Sequence, residues 1–359
     1  MKFVLDAEQK LFGETLDKLL SAADAPGAAR AWAVGDSGPG LTLWRALADA
    51  GVFALAVPEP SGGVGVLPVE LVTAFTVIGG HGVPGPYMET VAVAELLSRL
   101  APSLRQAPLP RLAPSLRQAP LTRQEPADAW LASSDAWLPR IAEGTAVASL
   151  VLPPDVPYAL DADVADVVLA VDGDGGLRLG ARGTMHTSLD PARRLFSVSP
   201  AKAVSDEAVS DMAAPAAVAA FDMGALLCAA QLAGIGERLL SVTVEYAKTR
   251  QQFGRPIGSF QAVKHHLANA YVALEYARPL LYGAALAYGS ADFPREVSAA
   301  KAATSDATYF ASRIALQVHG AIGYTDEYDP SLLIRKARAL RGAWGSPSTH
   351  RSRVLASLI

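Results

Sequence analysis

Two stretches of this chain hold residue types that suit an anion. Residues 246–268 read YAKTRQQFGRPIGSFQAVKHHLA. That pattern predicts a helix ending near Thr249, a turn through Gly254 and Pro256, and a second helix starting around Ser259. Such a turn leaves backbone N–H groups unpaired at the new helix N-terminus, and Arg250 stands close by. Together they suit a phosphate or pyrophosphate. A solvated or ion-paired arginine beside an ordinary turn would read the same way, and local chemistry leaves both readings open. Residues 316–324, LQVHGAIGY, place Gly320 and Gly323 after a long apolar helix. They mark either a plain helix end or a point where the backbone comes close to another group.

The titratable candidates are fewer. Asp222 precedes the apolar stretch 223–232 and reads as a helix N-cap, with a general base as the alternative. Asp326, Glu327 and Asp329 follow the glycine motif, either as exposed charges or as groups able to reach a site. His265 and His266 have no acidic partner at ligand spacing, so no metal centre is expected. Cys228, the single cysteine, lies in an apolar run and reads as core.

The elements that must position these groups fall into three regions. Helical spacing is expected over 7–22 behind a capping Asp6, then over 43–50, closed by Gly51, and over 69–79. Residues 58–65 (PEPSGGVG) form a turn. From about 127 to 213 the period changes to short apolar or alternating runs at 147–152, 167–171, 177–179 and 195–198. The DGDGG turn at 172–176 joins two of them as a hairpin. Beyond Pro215 the chain is helical again, over 216–248, 263–286, 294–318 and 331–340. Helices, then strands, then helices predict an α+β fold ending in a four-helix bundle. The expected domains are 1–126, 127–213 and 214–359.

Composition sets the class. The chain has 359 residues, 51% hydrophobic and 18% charged, with a net charge of −4. No basic field invites nucleic acid. No apolar run is expected to approach the roughly 20 residues a membrane helix needs, and residues 1–10 show no secretory signal, so a soluble cytoplasmic protein is expected. One segment stands apart: RLAPSLRQAPL occurs at 99–109 and again at 111–121. Its prolines argue against one continuous helix, leaving a rigid partner-contacting arm or a duplication tolerated in an exposed loop.

The two anion-suited stretches, YAKTRQQFGRPIGSFQ and QVHGAIGYT, resemble the paired signature of the acyl-CoA dehydrogenase family. VPEPSGGVG (57–65) is similar to its N-terminal loop, and DPARRL (190–195) to a segment closing its middle domain. The resemblance implies an N-terminal helical domain, a β domain and a C-terminal four-helix bundle, assembled as a dimer of dimers. It implies removal of a proton from Cα of an acyl-CoA and hydride transfer from Cβ to FAD, with a carboxylate base. In the family both motifs serve the FAD of the neighbouring subunit. Residue by residue, that role falls here on Arg250, Gln252, Phe253, Gln261, Gln317, Gly320 and Ala321.

The other half of a flavin site departs from the family. Where members carry T-E-P and G-S-D segments around the flavin ring, residues 150–163 read LVLPPDVPYALDAD, without glycine, serine or threonine, in a shortened β domain. The two positions where members place the catalytic glutamate are Trp344 and Gly224, and Asp222 is the best substitute. The expected protein is therefore a non-catalytic subunit that completes the FAD site of a catalytic sister chain in an α2β2 assembly. The resemblance extends to actinobacterial pairs that dehydrogenate CoA thioesters of sterol side chains, with an electron-transfer flavoprotein as the usual acceptor. The alternatives are a self-sufficient enzyme using Asp222 and a flavin-free scaffold.

Overall fold

A computed structural model describes residues 5–106, 134–172, 175–203 and 207–359. The second duplicated copy lies outside these residues, as does the tip of the DGDGG turn. The N-terminal helices are α1 (Ala7–Ser21), α2 (Ala25–Ala33), α3 (Gly38–Asp49), α4 (Pro68–Gly80), α5 (Tyr87–Gln106) and α6 (Ser134–Ala142). Asp6 caps α1 as expected: its side chain accepts the Gln9 N–H while the Gln9 amide accepts the Asp6 N–H. Helix α2 was not expected, because alanine carries its apolar face: Ala25, Ala28, Ala29 and Trp32 are buried at helical spacing. Helix α5 runs past Pro102 to Gln106, so the first copy of the duplication begins as helix. A proline removes one helical hydrogen bond and bends a helix without always ending it.

The sheet has the order β1-β3-β4-β5-β2, built from β1 (Ala148–Val151), β2 (Ala159–Leu160), β3 (Val167–Val171), β4 (Leu177–His186) and β5 (Leu195–Ala203). Strands β1 and β3 are parallel and the remaining pairs antiparallel. The β3–β4 hairpin is closed by the Asp172 N–H donating to the Gly176 carbonyl and by the Gly176 N–H donating to the Asp172 carboxylate. Strands β4 and β5 run well beyond the stretches expected for them.

The last part holds α7 (Glu207–Thr249), the β6–β7 ribbon (Gln251–Gln252 and Arg255–Pro256), α8 (Gln261–Leu286), α9 (Phe293–His319), α10 (Asp329–Gly342) and α11 (Pro347–Ala356). Here one expectation is corrected. Residues 213–249 of α7 are long and apolar enough to cross a membrane, but 83% of the relevant window is buried inside the protein. Apolar on every side, α7 is a core helix covered by α4, α5 and α9. Helices α4 and α7 touch backbone to backbone: a Cβ on Gly234 would lie 1.8 Å from the Thr76 carbonyl oxygen, and one on Gly79 would lie 2.2 Å from that of Gln231.

The 190–195 segment joins the layers. Arg194 pairs with Asp163 at 2.7 Å and approaches the fully buried Asp161, which also accepts the Trp32 indole N–H from α2 at 2.9 Å. Asp190 pairs with Lys336 of α10 at 3.3 Å. These contacts fix the β domain against both helical regions. Arg193, between them, points elsewhere.

Candidate functional site

Helix α7 ends at Thr249, and the next residues fold into the two-stranded ribbon, where the Ile257 N–H donates to the Arg250 carbonyl. Phe253 takes φ +53 at the tip and is 89% exposed. Phe260 precedes α8 without a side-chain cap, so the first N–H groups of α8 stay open as the sequence predicts. Gly320 ends α9 at φ +64. The two motifs meet through tilted ring contacts: Tyr246 lies 4.4 Å from His319, and His319 lies 5.2 Å from Tyr328. His319 is anchored by donating to the Ala315 carbonyl, and burial lowers its pKa.

All seven residues assigned by resemblance lie at or near the surface. Arg250, Gln252, Phe253, Gln261, Gln317 and Ala321 are exposed, and Gly320 is half-buried. Gln317 and Gly320 line an open cavity of about 600 Å³ with Tyr309, Arg313, Arg335 and Arg338. Arginine and amide donors there match the chemistry of a pyrophosphate. Arg335 and Arg338 were not singled out from the sequence. Their signal was legible, since they stand three residues apart on one face of α10.

The two base positions face each other in space. Trp344, 1% exposed, turns its ring toward α7 from a backbone with φ +54. A Cβ placed on Gly224 would sit 2.2 Å from that ring. One indole therefore fills the volume at both positions, and neither has room for a second side chain. Its N–H donates to Glu89 of α5 at 3.3 Å. Glu89 is 2% exposed, its other oxygen has no partner among the described residues, and burial raises its pKa. Lys301, wholly buried, holds the Trp344 loop by donating to the carbonyls of Leu340, Arg341 and Gly345 at 3.2 to 3.4 Å. The His350 ring adds a 2.8 Å bond to the Trp344 carbonyl.

Asp222 is not a helix cap. It sits inside α7, 1% exposed, and pairs with Arg353 of α11 at 2.6 Å. Expecting a cap failed because the helix starts 15 residues earlier, at Glu207, and proline at 215 does not stop it. Held by Arg353, Asp222 lines neither cavity. Asp326 and Asp329 make surface ion pairs with Arg335 and Arg30, and Glu327 is exposed. His265 and His266 are exposed on α8, and no metal-ligating cluster occurs among the described residues.

A second cavity, of about 640 Å³, opens beside Trp344 between the β domain, α5 and α10. Its β-domain wall is the stretch that departs from the family pattern. Residues 152–156 close on themselves through two Leu152–Val156 backbone bonds of 2.8 Å around a cis Pro153–Pro154 bond. Val156, Pro157, Tyr158 and Leu160 then face the space. The Ser/Thr and glycine residues of a flavin-ring cradle are absent from the 152–160 stretch. The donors present thus fit the phosphate end of FAD on the outer face and do not fit its ring here.

Comparison with known proteins agrees with this architecture. Residues 6–114 match the acyl-CoA dehydrogenase N-terminal domain, and residues 214–359 match the family's C-terminal domain. The chain is 34% identical to the acyl-CoA dehydrogenase IpdE2 of Mycobacterium tuberculosis over 344 residues, covering 95% of this chain and 94% of that protein. It superposes on the ChsE4–ChsE5 complex from M. tuberculosis with a TM-score of 0.76 at 23% identity, covering 100% and 99% of the two chains. A steroid acyl-CoA dehydrogenase variant, Tcur3481–Tcur3483, gives a TM-score of 0.76 at 21% identity, with 98% and 97% covered. A glutaryl-CoA dehydrogenase of the same fold has been solved with FADH2, as befits a flavin-binding family. With the three-part fold, both motifs in place and a relative matched along nearly its whole length, this chain belongs to the acyl-CoA dehydrogenase family.

Proposed function

We propose that this chain is the non-catalytic subunit of a heteromeric acyl-CoA dehydrogenase, completing the FAD site of a catalytic sister subunit. The observation that carries the reading is the indole of Trp344 against Gly224. It fills both base positions, while the seven flavin-facing residues stay on the outside. In the assembly Arg250 would hold the pyrophosphate of the sister's FAD. Gln252, Phe253, Gln261, Gln317, Gly320 and Ala321 would frame its adenosine side. FAD, when bound, supplies the acceptor for the hydride leaving Cβ. The base and the flavin-ring cradle would come from the sister chain.

Likeness to a complex of two differently named chains supports an α2β2 assembly with a sister subunit. Likeness to a chain named a steroid acyl-CoA dehydrogenase supports a steroid-derived acyl-CoA as substrate. We place the assembly in the cytoplasm, passing electrons to an electron-transfer flavoprotein. The self-sufficient alternative is disfavoured by the Asp222–Arg353 pair, which occupies the best substitute base the sequence offered.

Expression of the chain alone and together with its sister tests the reading by flavin absorbance. The chain alone should be colourless and the complex yellow. A stable yellow protein from this chain alone would refute the proposal, and a colourless chain that captures no sister would favour the scaffold.

A further inference from the structure

Arg250 and Gln317 stand on different elements, one just after α7 and the other near the end of α9, so a tertiary contact must set their spacing. The Arg250 N–H donates to the Tyr246 carbonyl at 2.9 Å, and the Thr249 hydroxyl donates to the same oxygen at 3.2 Å. Tyr246 thereby carries the first motif. Its ring meets that of His319, which lies between Gln317 and Gly320 in the second motif. His319 also meets Tyr328, whose carbonyl accepts the Ser331 N–H at the start of α10. Gly323 packs back on the same residue, since a Cβ there would lie 3.4 Å from the His319 Cβ. One imidazole thus touches the end of α7, the turn of the second motif and the approach to α10.

The ring suits this place in its neutral form. Its Nδ1–H donates to the Ala315 carbonyl at 2.8 Å, which orients the ring and leaves Nε2 as an acceptor. His319 is 4% exposed, and Nε2 is buried without a partner among the described residues. The titratable groups facing the ring are two phenols, Tyr246 from α7 and Tyr328 before α10. Among the described residues no carboxylate pairs with it. A proton on Nε2 would therefore bury a charged donor without an acceptor, a cost that the neutral ring does not carry. Desolvation accordingly lowers the pKa of His319.

We infer that His319 is a positioning residue for the flavin-facing surface: in contact with both Tyr246 and Tyr328, it sets Arg250 and Gln317 at the spacing that holds the sister's FAD. The inference rests on the function proposed above and adds a regulation that neither motif carries by itself. A proton taken up by His319 loosens the hold. Because its folded pKa lies below the ordinary 6.5, the native arrangement weakens as pH falls below that value.

Flavin fluorescence tests it on the complex with the sister chain, stripped of flavin and titrated with FAD between about pH 7.5 and 5.5. The wild-type complex should bind FAD more weakly at the acid end. His319→Ala should weaken binding at least about tenfold at neutral pH, in a complex that still assembles. His319→Phe keeps a ring there without a titratable nitrogen. It should recover most of the lost affinity and hold it unchanged to the acid end. In the chain alone, peptides over 246–253 should exchange amide hydrogens faster in His319→Ala than in wild type at one pH. Wild-type affinity in a folded His319→Ala complex would overturn the inference, as would unchanged exchange or an identical pH dependence in His319→Phe and wild type. If His319→Ala does not fold or assemble, the pH dependence of His319→Phe decides. A wild-type complex that takes up no FAD would overturn the proposed function and this inference with it. A wild-type complex that binds FAD whatever stands at position 319 would sink the inference alone.

Discussion

The face around Arg250 and Gln317 and the interior around Trp344 lie on the same helical bundle but are built on opposite terms. On the outer face the family's residues are kept and left exposed, with open N–H groups and arginines along α10. None of the described residues covers them. In the interior the family's residues are replaced, and the replacements are locked together: indole against glycine, lysine on three carbonyls, histidine on a fourth. An exposed site can persist without supporting the fold. A buried position cannot, because close packing couples each side chain to its neighbours. In the proposed subunit the interior serves as structure, while the face stays available for a partner.

The comparison breaks most sharply if the interior tolerates its ancestral chemistry. Trp344→Glu should cost at least about 3–5 kcal/mol, since it removes a large buried ring and sets a second carboxyl beside Glu89. Chemical denaturation measures it, and wild-type stability would show that the interior is not committed. Gly224→Ala should cost roughly 1–3 kcal/mol through overpacking on the indole. In a Trp344→Ala background most of that cost should vanish, a coupling that a double-mutant cycle reads directly.

Acid sharpens the contrast next. His350 is buried with its folded pKa lowered to about 4 from the ordinary 6.5, mainly by desolvation. Between these values the unfolded chain binds the extra proton, so stability is lost as pH falls from about 6.5 toward 4. His350→Asn should flatten that limb in denaturation curves collected across the window. A slope identical to wild type would assign the acid sensitivity to other groups. The smallest effect belongs to the outer face. Arg250→Ala should change stability by no more than about 0.5 kcal/mol, yet lower flavin occupancy in the complex with the sister chain. Unchanged occupancy would refute the role given to Arg250.

Much of the fold was readable because local signals pointed one way. The Asp6 N-cap, the glycine-rich turn after Val57 and the long apolar periods of α8 and α9 each stand in the sequence where the structure has them. Helices α2, α6 and α11 were not read. Helix α2 hides its apolar face in alanine, α6 falls in the stretch expected to open the β domain, and α11 buries little beyond Pro347 and His350. Asp222 was misplaced for a related reason: a helix of 43 residues offers no local mark that one of its aspartates is interior.

By itself the sequence determined the family, the two motifs and the absence of a glutamate at either usual base position. These are statements about residue identity at fixed spacing, and spacing is local. Only the tertiary structure decided what stands there instead. The Trp344 ring meets Gly224 and Glu89, residues that lie far away along the chain, and Arg193 is left facing a cavity while its neighbour Arg194 is paired. Such contacts follow from volume and charge exclusion among packed helices and sheet, which no periodicity along the chain encodes.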